Sequence, residues 1–135
     1  MTRTLRAVLG IDVGTTSVKV VAVESSGKVL DSETVEQPMS LPAPGWSEQD
    51  PEMWWTATQE TVAVLTNRIR KLSQNVEIIA VGLTGQMHSS VFLDDRGEVI
   101  RPALLWNDMR TTAQCAEITD KLGLPGLLST CGNLA

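Results

Sequence analysis

The sequence predicts an α/β fold built on a mixed sheet. β-Branched runs joined by tight turns open the chain, and one capped amphipathic helix follows them. After that helix comes a nearly unbroken apolar run of strand length, the arrangement of a parallel crossover. The 135 residues suit one domain, and no linker or internal repeat divides them. A domain of this size buries ~65–70% of the surface its unfolded chain exposes.

Residues 7–13 (AVLGIDV) and 17–24 (SVKVVAVE) read as strands. Gly14, Thr15 and Thr16 join them too tightly for a crossover helix, so the pair is expected as an antiparallel hairpin. A turn over 25–28 leads to a third strand over 29–36, completing a meander. Residues 37–49 hold Pro38, Pro42, Pro44 and Gly45 and read as an extended loop.

Asp50-Pro51-Glu52 then starts a helix, with a carboxylate N-cap, proline at the first position and an acid in the first turn. Trp54, Thr58, Val62, Leu65, Ile69 and Leu72 recur at steps of three and four as its inward stripe. Arg68, Arg70 and Lys71 fall in the last turn, where cations complement the helix dipole. Trp46, Trp54 and Trp55 read as packing residues.

Residues 76–83 (VEIIAVGL) have the character of a strand buried on both faces. A loop over 84–88 precedes a hairpin with arms at 89–94 and 98–101, turning at Asp95-Arg96-Gly97. Leu104-Leu105-Trp106 is a further apolar run. A helix is expected over about 112–122, stopped by Gly123 with Pro125 beyond it.

Eleven Lys and Arg against sixteen Asp and Glu give a net charge of −5. An acidic chain without a basic cluster is a poor partner for nucleic acid or anionic membranes. Two cysteines and one histidine make neither a disulfide framework nor a multi-histidine metal site. Asp12 and Lys19 interrupt the early apolar run, so no signal peptide or membrane span is expected, and the expected compartment is the cytoplasm.

Three segments carry possible chemistry. In the first, Asp12 to Ser17, a glycine turn with hydroxyl neighbours can form an anion-binding nest. Asp12 beside it suits a hydrated Mg²⁺. Short glycine turns are common, and on these residues alone a plain hairpin, with Gly14 at positive φ, is the stronger reading. In the second, Gly85-Gln86-Met87-His88 follows the apolar strand, where ligands of open α/β sheets sit. Gln86 and His88 suit hydroxyl groups, although a lone histidine is more often structural. In the third, the Trp106 indole can stack on the C–H face of a sugar, with Asp108 at its hydroxyls. The alternative is a core tryptophan with an Asp108–Arg110 pair bracing the turn.

The hairpin DVGTTSVK and the segments GWSEQDPEMWW, GLTGQMH and RPALLWNDMR appear in the order and spacing of the FGGY carbohydrate kinases. The chain resembles that family from residue 7 to about residue 133, and within it looks most like the amino-terminal part of a xylulokinase. The resemblance implies an actin-like (ribonuclease H-like) ATPase fold, with residues 1–135 as the amino-terminal part of the first of two domains. It implies transfer of phosphate from ATP to D-xylulose, giving D-xylulose 5-phosphate and ADP.

By the same resemblance Asp12 is the acidic residue of the first phosphate loop, acting through Mg²⁺ held by way of water. Gly14, Thr15 and Thr16 are its phosphate-binding neighbours. Met87, His88 and Trp106 contact the sugar, and Gln86 and Asp108 beside them are expected as further substrate-binding residues, Asp108 in a pocket or bracing role. Ser89 stands where many xylulokinases carry glycine, and Met-His-Ser also resembles gluconate kinases, so gluconate or another pentulose is the alternative substrate. The family's aspartate base, second phosphate loop and adenosine pocket lie beyond residue 135, so this chain alone is expected to be inactive. A stand-alone binding or interaction module is the alternative from another class. A truncated sheet leaves an open edge, so self-association or a homodimer is expected.

Overall fold

Leu5–Val13 (β1), Ser17–Glu24 (β2) and Val29–Glu36 (β3) form the expected antiparallel meander. They do so in the computed structural model, which describes residues 4–71 and 75–135. Asp50 and Pro51 start helix α1, Pro51–Arg70, and the chain returns as Val76–Gly85 (β5). β5 pairs in parallel with β1, giving the sheet order β3-β2-β1-β5. Parallel pairing sets Val13 beside Gly85, so the β1–β2 turn and the loop after β5 leave the sheet at the same end.

Asp50 accepts a hydrogen bond from the Glu52 N–H at 3.0 Å, as the N-cap signal requires. The buried face of α1 is Ala57, Thr61, Leu65 and Ile69, packed over β2 and β3 against Leu9, Ile11, Val18, Val20 and Ala22. That face is rotated from the expected stripe, whose Trp54, Thr58 and Val62 lie at its half-buried flank. Small residues at the centre let helix and sheet approach closely, and the Thr61 hydroxyl is satisfied by the Ala57 carbonyl at 2.6 Å. Leu72, the last member of the expected stripe, lies outside the described residues. Trp55 points into solvent rather than into packing. Arg68 complements more than the dipole, because it reaches back to β3 and pairs with Asp31 at 2.7 Å and with Glu33.

β5 departs from its expected burial. Val81 and Leu83 share the α1 side of the sheet with Leu9 and Ile11, yet they are 56% and 77% exposed. The helix covers β2 and β3, while β5 is the edge strand at the opposite side of the sheet among the described residues. A nearly all-apolar strand sequence records a need for cover on both faces, and here α1 does not reach that far.

The loop over 37–49 contains a short strand the sequence concealed. Glu48–Gln49 (β4) pairs antiparallel with Ala103–Leu104 (β6). The hairpin over 89–101 is reduced to single bridges, Ser90 with Leu104 and Leu93 with Val99. Its turn is nonetheless held as expected, with the Asp94 carboxylate accepting from the N–H groups of Arg96 and Glu98 at 2.9 and 2.8 Å. The final helix, α2 (Thr112–Cys131), breaks at Gly123, whose φ of 69° is left-handed. Its first segment ends where expected; the second, over 124–131, was not anticipated. Pro125 stops one helix but is equally suited to the first turn of the next. Among the described residues no helix is long and apolar enough to cross a membrane.

Candidate functional site

β1 delivers Asp12 to its exposed end, and the chain reverses through Gly14 to Thr16. The Gly14 N–H closes the turn on the Ser17 carbonyl at 3.0 Å. Gly14 does not adopt the positive φ expected of it. Its requirement is proximity, since a Cβ there would stand 3.1 Å from the Ser17 oxygen. No hydrogen bond among the described residues takes up the N–H of Thr15 or Thr16.

β5 delivers the second loop. The Gln86 N–H donates to the Val13 carbonyl at 2.9 Å, extending the parallel pairing one residue past the strand. Met87 and His88 then stand exposed beyond it, and His88 takes a left-handed φ of 59°. Such a backbone is uncommon outside glycine and persists where surrounding structure holds it, often in binding loops.

The third segment is held by a zipper between two stretches some sixty residues apart. Ser47 N–H donates to Asp108 Oδ2 at 2.8 Å, Leu105 N–H to the Ser47 carbonyl at 3.0 Å, and Met109 N–H to the Gly45 carbonyl at 2.8 Å. Arg110 clamps Asp108 at 2.7 Å and Glu48 at 2.8 Å, and lies 3.9 Å over the Trp46 ring. The Arg110 side chain, with the Ser47 and Arg110 N–H groups, holds the Asp108 carboxyl well below the usual carboxylate range, against the opposing effect of burial. So braced, the chain presents Trp106, whose indole N–H donates to Thr15 Oγ1 at 3.2 Å.

One cavity of about 400 Å³ results. Asp12, Gly14 and Thr15 line it from the first turn, Gly85, Gln86, Met87 and His88 from the second loop, and Trp106 from the third. Seven of the nine residues singled out in the sequence are therefore brought together. Thr16 is not among the lining residues; it borders a neighbouring hollow with Ser17, Thr34 and Gln37. Asp108 is not among them either, and its carboxylate is spent on Ser47 and Arg110, the bracing arrangement. Gln86 is partly committed as well, since its Oε1 accepts from Thr15 Oγ1 at 2.9 Å and Ser89 Oγ at 3.3 Å.

Sequence reasoning missed Gln49. Its amide lies beneath the two loops with 3% of its surface exposed, bonded to Thr15, Pro38, Trp54 and Gln86. The only signal available was its place within the segment GWSEQDP, which read as loop architecture.

The chemistry of the cavity is divided. Its Asp12 end offers a carboxylate and unengaged N–H groups, suited to a phosphate accompanied by a hydrated divalent cation. No group of three or more metal-ligating side chains occurs among the described residues. Among these residues Asp12 is the carboxylate at the cavity that a hydrated Mg²⁺ could approach, an ion that commonly takes few protein ligands and keeps several waters. The Met87, His88 and Trp106 end offers an apolar wall with polar edges, suited to the two faces of a sugar.

The family model for the FGGY family of carbohydrate kinases, N-terminal domain, matches residues 7–135. The chain is 41% identical over 128 residues to the xylulose kinase of Lactococcus lactis subsp. lactis, covering 95% of this chain and 25% of that protein. Among solved structures, the xylulose kinase from Rhodospirillum rubrum superposes with a TM-score of 0.88 at 31% identity, over 96% of this chain and 26% of that one. A gluconate kinase from Lactobacillus acidophilus gives 0.83 at 26% identity, over 93% of this chain and 24% of that one. The present chain thus spans about a quarter of the length of the relatives it matches. The mixed sheet and its helices agree with the amino-terminal domain of the actin-like ATPase fold.

Proposed function

Because the chain belongs to the FGGY family of carbohydrate kinases, we propose that it is the amino-terminal part of the first domain of an ATP-dependent kinase acting on D-xylulose. The observation that carries this reading is the shared cavity, where the Asp12 turn and the Met87–His88 loop meet beside Trp106. In the reaction the terminal phosphoryl group leaves ADP as its P–O bond breaks, and a new P–O bond forms to a sugar hydroxyl. The hydroxyl proton passes to a carboxylate base. Charge neutralisation and positioning supply most of the catalysis in such transfers.

Asp12 takes the role of orienting the Mg²⁺ that accompanies ATP, through that ion's water. Thr15 brings its unengaged backbone N–H to the phosphates, Gly14 allows the tight turn that presents it, and Thr16 flanks them. Met87, His88 and Trp106 form the sugar wall, and Gln86 keeps one Nε2 hydrogen for a hydroxyl. Asp108 serves by bracing Trp106. The family resemblance puts the base beyond these 135 residues, and the engagement of Asp94 in its turn and of Asp108 with Arg110 agrees with that, so we expect no turnover by them alone. ATP supply and two free thiols, Cys115 and Cys131, fit a cytoplasmic setting.

Gluconate is the second reading, because Ser89 follows the Met-His pair as in gluconate kinases. The Ser89 hydroxyl is turned to Gln86 Oε1 at 3.3 Å, which gives it a role within the loop and leaves D-xylulose first. ADP release by the full-length protein, measured with D-xylulose, D-ribulose, L-ribulose and D-gluconate, tests the choice. The largest kcat/KM is expected with D-xylulose, and a larger value with gluconate would reverse the order.

A further inference from the structure

Gln49 lies behind the cavity without lining it, and its amide uses all four of its hydrogen-bonding positions. Nε2 donates to the Thr15 carbonyl at 2.7 Å and to the Pro38 carbonyl at 3.1 Å. Oε1 accepts from the Trp54 indole N–H at 3.0 Å and from Gln86 Nε2 at 3.4 Å. Carbonyls only accept and an indole N–H only donates, so these partners dictate which way the amide points. One side chain is thereby tied to the phosphate-side turn through Thr15, to the sugar-side loop through Gln86, and to α1 through Trp54.

The two loops touch directly through a single side-chain bond, Thr15 Oγ1 to Gln86 Oε1, beside the Gln86 N–H to Val13 pairing. Gln49 braces that contact from beneath, at a position where it is 3% exposed and where removing its amide would leave several polar partners without their bond. β4 holds its backbone against β6, the strand that leads to Trp106, so the residue also joins the third wall to the other two.

Resting on the kinase reading above, we infer that Gln49 is a positioning residue that sets the spacing between the phosphate-side turn and the sugar-side loop. A shift of the two sites against one another affects in-line transfer far more than it affects either binding event. Displacement by about 1 Å in such systems costs about 100-fold in rate.

The test uses the full-length protein with Gln49→Met, which keeps the length and removes every side-chain hydrogen bond, and Trp54→Phe, which removes one bond and keeps a smaller aromatic ring. Hydrogen exchange is expected to quicken over residues 12–17 and 84–90 in Gln49→Met, and less in Trp54→Phe. Steady-state kinetics are expected to show kcat reduced about 10- to 100-fold, with KM for sugar and for ATP within threefold of wild type. Unchanged exchange over 84–90, an unchanged kcat, or a raised KM as the main effect would each overturn the inference. Should Gln49→Met fail to fold, Trp54→Phe carries the same measurements, with a smaller loss of kcat expected and an unchanged kcat again overturning the idea. Absence of sugar-dependent ADP release by the wild type would defeat the kinase reading alone, since the exchange measurement stands without it.

Discussion

Trp106 Nε1 donates to Thr15 Oγ1 at 3.2 Å, across 91 residues of sequence. The same hydroxyl donates onward to Gln86 Oε1, so one threonine links all three walls of the cavity. Trp106 is itself 60% exposed, leaving the ring face open while its N–H is tethered.

Replacing Trp106 with phenylalanine keeps an aromatic face and removes the tether. A typical hydrogen bond contributes about 1 kcal/mol, so KM for the sugar in the full-length protein is expected to rise roughly fivefold. Trp106→Ala removes the stacking surface as well and is expected to raise KM further. Saturation curves against sugar concentration measure both, and equal effects would mean that the ring contributes nothing.

Asp108 predicts a stability effect that depends on pH. Its side chain is 5% exposed and clamped by Arg110, which holds its carboxyl below the ordinary 3.8. A depressed folded-state value means that the unfolded chain takes up the proton first. The pair's contribution is therefore complete above about pH 4 and is lost as pH falls through the folded value. Asp108→Asn is expected to cost about 2 kcal/mol at pH 7, from the loss of hydrogen bonds to a charged partner. Urea titrations at pH 7 and pH 3 should show the gap between wild type and variant narrowing in acid; a constant gap would mean that the carboxylate charge is unimportant.

The open flank of β5 predicts association. Val81 and Leu83 present apolar surface beside a strand edge that is unpaired among the described residues, so the 135-residue chain is expected to form dimers or larger species at micromolar concentrations. Val81→Lys with Leu83→Lys is expected to restore monomers. Sedimentation velocity separates the outcomes, and a wild-type chain that stays monomeric throughout would remove the proposed self-association.

Much of the fold could be read in the sequence because its signals are local. β2, β3 and the first helix boundary rest on β-branched runs, a two-sided turn grammar and the Asp50-Pro51 start. The turn at Asp94 and the break at Gly123 are likewise encoded within a few residues. What escaped depends on distant partners. The rotation of α1 follows from how closely Ala57 and Thr61 approach β2, and no period of three or four distinguishes that face from its neighbour. β4 is two residues long and exists only because β6 lies beside it. The exposure of Leu83 is set by how far α1 reaches, a fact about the helix rather than the strand.

At the site the same division holds. Asp12, Thr15, His88 and Trp106 stood out by residue type beside turns and strand ends, and the fold gathers them. Gln49 did not, because its four bonds reach partners up to 37 residues away and its immediate neighbours look like a loop. Asp108 was legible as a pair with Arg110 from spacing alone, and Ser47 completes the clamp from 61 residues away.

The most direct test of the kinase reading is D-xylulose-dependent ADP release by the full-length protein, compared with its Asp12→Ala variant. Sustained release by the wild type is expected, with a loss of at least about 100-fold in kcat for the variant, the scale seen when a group stabilising transferred charge is removed. An Asp12→Ala protein that turns over D-xylulose at the wild-type rate would contradict the role assigned to this cavity.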